Sequence, residues 1–214
     1  MLEAFAAAIV GVALAQASPG PNMLAVASAA LGAGRRAGLM TVAGVASGML
    51  VWAGAVALGL GTVVALFPAA LSTMKLVGGA YLAWIALKAL RAARRGKAAS
   101  VRADPAARPG LAAWRRGLLV VLTNPKALLM WTAVGTFLFG AGLNAWQVAA
   151  FGPVAMVSAA LIYGAYAFLF STGAASRSYG RFARWIELGL GVAFGALGGR
   201  LLLDGARELR ERWA

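Results

Sequence analysis

The 214-residue sequence contains no cysteine and no histidine. Those two absences exclude disulfides, thiol redox chemistry, Cys/His metal sites, histidine-held haem and histidine proton relays. Acidic residues are nearly missing as well: six Asp and Glu stand against 20 Lys and Arg. Charged residues make up 12% of the chain, where a soluble domain has about 25%. What fills the sequence instead is apolar, with 62% hydrophobic residues and a mean hydropathy of +0.80. This is the composition of an integral membrane protein, and it excludes a soluble enzyme. At about 20 residues per span, the chain holds six or seven spans at most, with no room for a sizeable soluble domain. No G-x-x-x-x-G-K-[ST] motif is present, so direct ATP hydrolysis has no support, and no cofactor is expected.

Uncharged stretches cover 4–34, 37–74, 76–87, 127–176 and 188–199, with basic clusters between them. The second divides near Phe67-Pro68, and the fourth near the turn-like segment 140–144. The pattern predicts an all-α integral membrane fold with six transmembrane helices, at 2–31, 37–66, 69–92, 112–140, 145–173 and 182–204. Placing alternate loops in the cytoplasm puts 14 of the 20 Lys and Arg inside and both termini outside. The net charge of +14 then reflects topology and anionic lipid, not nucleic acid. Ala15-Gln-Ala17 fits a signal-peptide cleavage site, but no Lys or Arg precedes it, so the first segment is expected to be a retained helix. Residues 93–111, with Pro105 and Pro109, read as a flexible inner loop. Trp and Tyr near the predicted ends fit an aromatic belt. Glycines spaced by four (Gly34/Gly38, Gly44/Gly48, Gly191/Gly195/Gly199) are expected to let helices pack closely.

Two predicted helices are broken in mid-span. Ser18-Pro-Gly-Pro-Asn22 splits the first into about 2–16 and 22–31, because proline removes a hydrogen bond and clashes with the carbonyl four residues back. Thr123-Asn-Pro-Lys126 splits the fourth into 112–122 and 125–140, with Asn124 as N-cap and Pro125 at the first helical position. Counted from Arg35 and Arg116 at about 1.5 Å per residue, both breaks lie roughly 15–20 Å from the inner boundary, near the midplane. The broken helices open two three-helix segments, 1–95 and 112–214, which run in opposite senses on either side of a basic cytoplasmic loop, 96–111. A 3+3 inverted repeat with matching interrupted helices points to a transport site at the midplane. Kinks made only for packing are the plainer reading of either break alone.

Lys126 is the most informative residue. An intramembrane lysine is costly and usually functional, and this one sits at a half-helix N-terminus, where the dipole disfavours a cation. Snorkelling is the bland alternative, but a side chain of about 6 Å does not cover 15 Å. Two half-helix N-termini and Lys126 gather positive potential suited to a carboxylate. The carbonyls freed before each break suit an ammonium group, so the expected ligand is a zwitterion. The candidate binding residues are Ser18, Pro19, Gly20, Pro21, Asn22, Thr123, Asn124, Pro125 and Lys126, with Gln16 nearby. Glu187 is the one acidic residue in reach and a candidate for a coupling proton; pairing with Arg181 or Arg184 is its structural alternative.

The motifs Ser18-Pro-Gly-Pro-Asn22, Gly34-Arg-Arg-Ala-Gly38, Met74-Lys-Leu-Val-Gly-Gly-Ala-Tyr-Leu-Ala-Trp84 and Thr123-Asn-Pro-Lys-Ala127, with the glycine-rich stretch from Gly189 to Gly199, together resemble the LysE/RhtB family of amino-acid exporters. The resemblance covers essentially the whole chain and is nearer the homoserine/threonine branch than the lysine/arginine branch. It implies a multi-pass secondary transporter of a bacterial inner (plasma) membrane that exports amino acids or close derivatives, coupled to the proton-motive force. Many members carry Asp after the second proline; Asn22 lacks that charge, which favours neutral substrates over basic ones. The expected partners are a zwitterionic amino acid and the bilayer; a homo-oligomer is compatible with the sequence, and nucleic acid is not. The rivals are a non-transporting membrane scaffold, and an exporter of another small solute or of a cation. A metal exporter would need carboxylates, thiolates or imidazoles at the breaks, where there are none.

Overall fold

The chain stops being helical where the prolines demand it. The computed structural model describes residues 2–66, 70–95 and 101–213, with side chains except at 2, 64–65, 70–71, 173–184, 186–187, 190 and 212–213. The helices are α1 (Leu2–Ala17), α2 (Pro21–Ala55), a π-helical turn (Val56–Leu60), α3 (Gly61–Leu66), α4 (Ala70–Arg95), α5 (Leu111–Leu122), α6 (Pro125–Gly140), α7 (Ala145–Phe170) and α8 (Gly173–Trp213). No strand occurs among the described residues.

Three helical segments are long and apolar enough to cross a membrane: Pro21–Val63, Ser72–Arg95 and Ala145–Phe170. The pair α5 and α6, bent by 59° at its break, qualifies as a fourth span. The first of these is 43 residues long, or about 65 Å as one rod, twice the hydrocarbon thickness. It is not one rod: Ala33 (φ −132°, ψ 19°) and Gly34 (φ 79°, ψ 178°) leave helical geometry and divide α2 into two legs. Only glycine enters that left-handed region cheaply, so Gly34 is a corner and not the packing residue expected of it. Large apolar side chains such as Leu58, Leu119, Leu161, Val192 and Leu203 are exposed on the outside, which suits lipid and not water.

Glycines carry the tightest helix contacts. A Cβ at Gly44 would lie 1.9 Å from the Trp114 carbonyl oxygen, and one at Gly117 would lie 2.1 Å from that of Thr41. Thus α2 and α5 touch backbone to backbone, as small residues permit in a membrane. Between α4 and α8 the contact is made by Gly79 and Gly198, while Gly199, expected to pack, faces open space. Remaining neighbours are α7 against α2 and α1, and α6 against α1 and α4.

Three expectations change. The helix predicted at 182–204 runs instead from Gly173 to Trp213, because its mixed tail stays helical. In that tail Arg200 and Asp204 pair at 3.9 Å one turn apart, and Glu208 reaches back to Lys75 and Ser72. Lys75, which the charge pattern counts as a boundary cation of an outer segment, is therefore a buried ion-pair partner. The inner loop is docked where described: Asp104 N–H donates to the Ser28 carbonyl at 3.1 Å, and Arg116 pairs with the Asp104 carboxylate. The division expected at Phe67-Pro68 lies outside the described residues. The turn at 140–144 is present, with Gly142 at φ 83° and an Asn144/Gln147 capping box opening α7.

Candidate functional site

Each break leaves carbonyls without their helical partners, and proline accounts for one at each. Pro21 has no N–H for the Ala17 carbonyl, and Pro125 has none for that of Val121. Both carbonyls are rescued by an aromatic side chain. The Tyr166 hydroxyl donates to Ala17 O at 2.6 Å, and the Trp52 indole N–H donates to Val121 O at 3.1 Å. Each donor lies on a different helix from the break it serves. In each case the residue before the second-helix proline is extended: Gly20 at φ 178°, ψ −176° and Asn124 at φ −78°, ψ 112°.

The two half-helix N-termini differ. In α6 the first turn is closed, since Asn124 Oδ1 accepts from Lys126 N–H at 2.9 Å, and the Asn124 carbonyl accepts from Ala127 and Leu128 N–H. In α2 the first helical bond is Leu24 N–H to Gly20 O, and Gly20 has no side chain to cap the N–H groups of Asn22 and Met23.

Side chains tie the breaks together across 102 residues of sequence. Asn124 Nδ2 donates to Asn22 Oδ1 at 3.0 Å, and Asn22 Nδ2 donates to the Tyr163 hydroxyl at 3.4 Å. Lys126 Nζ reaches the Ser18 carbonyl at 3.5 Å, and the same atom lies 3.5 Å from where a Cβ on Gly20 would be. Gln16 is fixed beside them, donating to Ala155 O at 3.1 Å and accepting from Ser158 Oγ at 2.8 Å. Gln16, Ser18, Asn22 and Asn124 are all buried, yet each has a partner, as buried polar groups require.

These groups surround a water-sized void of about 20 Å³ lined by Gln16, Ser18, Gly20, Asn22, Asn124, Lys126 and Tyr163, with Met23, Met49 and Met130 on its apolar wall. It is contiguous with a cleft of about 350 Å³ that shares Ser18, Gly20, Asn124 and Lys126 and runs along α4 past Tyr81 and Trp84 to Lys88. That volume is in the range of small-molecule sites. Among the described residues no Asp or Glu lines either cavity, while Lys126 and Lys88 do. The arrangement suits an anionic group close to neutral polar partners. No group of acidic side chains able to hold a metal ion occurs among the described residues.

Of the residues expected from the sequence, Ser18, Gly20, Asn22, Asn124 and Lys126 meet at the void, and Pro19, Pro21 and Pro125 line the cleft. Thr123 does neither: it is exposed and its hydroxyl returns to the Leu119 carbonyl at 2.7 Å. The Glu187 side chain lies outside the described residues. Sequence reasoning missed Tyr163, Tyr166 and Trp52, which a belt assignment had absorbed. The available signal was chemical: a carbonyl freed by proline inside a membrane needs a donor, and a mid-span tyrosine needs a polar partner.

An all-helical membrane protein whose two interrupted helices meet at a polar site has the build of a small-molecule translocator and not of an enzyme. The LysE type translocator profile matches residues 13–205, and the chain belongs to that family. Its relatives include the threonine efflux protein of Escherichia coli K12, 33% identical over 87% of this chain and 91% of that one. An uncharacterized membrane protein of the same organism, YahN, is 30% identical over 89% and 85%. The leucine efflux protein of Klebsiella pneumoniae is 30% identical over 54% of this chain and 53% of its own. No solved structure matches the chain.

Proposed function

We propose that the protein exports neutral zwitterionic amino acids from a bacterial cytoplasm across the inner membrane, with the two breaks as the binding site. The observation that carries the reading is the Asn124–Asn22 hydrogen bond, which brings two helix interruptions into one cavity beside Lys126. The substrate carboxylate takes the Asn22 and Met23 N–H groups and Lys126 Nζ, and its ammonium takes the carbonyls around Ser18. The absence of Asp or Glu among the described residues of the cavity walls favours neutral over basic side chains. The names of the threonine and leucine efflux relatives agree with that class. Coupling to the proton-motive force is part of this reading, as the energy source for a chain without a nucleotide-binding motif.

The same reading takes 1–95 and 112–214 as inverted repeats joined by the inner loop 96–111, six spans in all and both termini outside. Three correspondences support it. Pro21 and Pro125 open matching half-helices; Gly34 and Gly142 make left-handed corners after them; and each freed carbonyl is closed from the other segment. With that topology the cleft, which reaches the Lys88 end of α4, opens toward the cytoplasm.

The test is efflux from vesicles loaded with threonine, leucine or lysine. Threonine and leucine should leave at least about tenfold faster than lysine, the size of one charge-assisted contact made or lost. Equal or faster lysine efflux would overturn the neutral-substrate reading, and no efflux of any of the three would overturn transport.

A further inference from the structure

Beyond the breaks, a line of cavities continues toward the other end of α4. The central void shares Met130 with a second small void of apolar walls, including Leu82, Phe137, Phe194 and Leu197. That void shares Ala7 and Phe137 with a vestibule of about 340 Å³ at the Lys75 end of α4. Lys75 and Lys88 are 13 residues apart, about 20 Å along a helix, so the cleft and the vestibule open at opposite ends of one path.

The vestibule differs chemically from the central site. Two cations, Lys75 and Arg200, and two carboxylates, Glu3 and Asp204, share its wall, whereas the charged residues described in the central cavities are cations. Lys75 is buried against Glu208, whose other carboxylate oxygen accepts from Ser72. Gly140 makes room for it: a Cβ there would stand 2.9 Å from Lys75 Cε and 3.4 Å from its Nζ. A charged side chain is thus kept beside a cavity at a position where any residue larger than glycine would displace it.

We propose that this vestibule is a second, weaker amino-acid subsite on the exit side, in which the carboxylate meets Arg200 and Lys75 and the ammonium meets Asp204 and Glu3. The proposal rests on the transport reading above. Having both signs of charge, the subsite takes a zwitterion released by the central site, and the apolar plug at Phe137 and Leu197 separates the two. A structural role alone, with Lys75–Glu208 merely fastening α4 to α8, predicts no ligand effect there.

The natural absence of cysteine makes the test direct. Ala141→Cys puts one thiol on the exposed vestibule rim. A membrane-impermeant maleimide should label it from outside in intact cells, and external threonine should slow that labelling. Arg200 is largely exposed, so Arg200→Gln should weaken the protection roughly 2- to 5-fold, and Arg200→Glu more. Labelling that ignores threonine, in vesicles that still export it, overturns the subsite and leaves the central site standing. Labelling from the cytoplasmic side only overturns the subsite together with the orientation. Loss of export in the unsubstituted protein overturns the transport reading, and the subsite falls with it.

Discussion

The two breaks do the same thing to the backbone and opposite things to the helix that follows. At Thr123-Asn124 the half-helix is capped by its own asparagine, which also reaches across to Asn22. At Ser18-Pro19-Gly20 no side chain caps the new helix, and its first-turn residues Asn22 and Met23 line a cavity. A capped helix end presents a side chain; an uncapped one presents its backbone. One break therefore delivers Lys126, and the other offers the N–H groups that a carboxylate can occupy. Evaluating the breaks separately as kinks would miss this division, since each supplies what the other lacks.

Removing the charge from the capped side should have the largest effect. Lys126→Met keeps the side chain's length, and substrate affinity should fall roughly 10- to 100-fold, the worth of a buried charge-assisted contact, with membrane abundance near normal. Undiminished efflux would take the site away from α6. Next, the uncapped side can be made to resemble the capped one. Gly20→Asp would cap α2 and set a carboxylate beside Lys126 Nζ, where the substrate's is proposed to sit. Efflux should drop by an order of magnitude while thermal stability holds or gains a few tenths of a kcal/mol, the value of a cap over glycine. Stability loss without a transport defect would contradict an open anion site.

Smaller effects should come from the donors that close the breaks. Tyr166→Phe leaves the Ala17 carbonyl without its hydroxyl, at a cost of about 1–3 kcal/mol for a buried unsatisfied acceptor. Trp52→Phe should do the same at Val121, and detergent-melting curves of the two variants would compare the breaks on one scale. The smallest change is expected at Thr123→Val. Its hydroxyl turns back to its own helix, so both efflux and melting should stay within about 0.5 kcal/mol of the parent. A transport defect there would return Thr123 to the site.

The breaks were readable because proline acts locally: Pro19, Pro21 and Pro125 forbid bonds that no neighbour can restore. The turn at 140–144 was legible from its glycines too, though not the capping box at Asn144. What could not be read depends on partners far away in the chain. Lys75 looked like a boundary cation because Glu208 is 133 residues on. The inner loop looked loose because its proline and arginine content gives no hint that Asp104 docks on Ser28. Tyr163 and Tyr166 became belt residues because position along a span does not reveal which face meets a broken helix. Charge and hydropathy thus marked the chain as helical and membrane-bound, while hydrogen bonds between residues distant in sequence bring the two breaks together.

The aromatic donors have a mechanical consequence. Trp52 belongs to the first half of the chain but closes the break in the second; Tyr166 belongs to the second and closes the break in the first. Had each half stitched its own gap, the halves could slide past one another with the gaps undisturbed. Because the stitches are exchanged, any relative displacement of the halves pulls on both gaps at once. Strain at one end of the molecule would then be registered at both breaks without a dedicated relay, and so at the cavity where the carboxylate is proposed to sit.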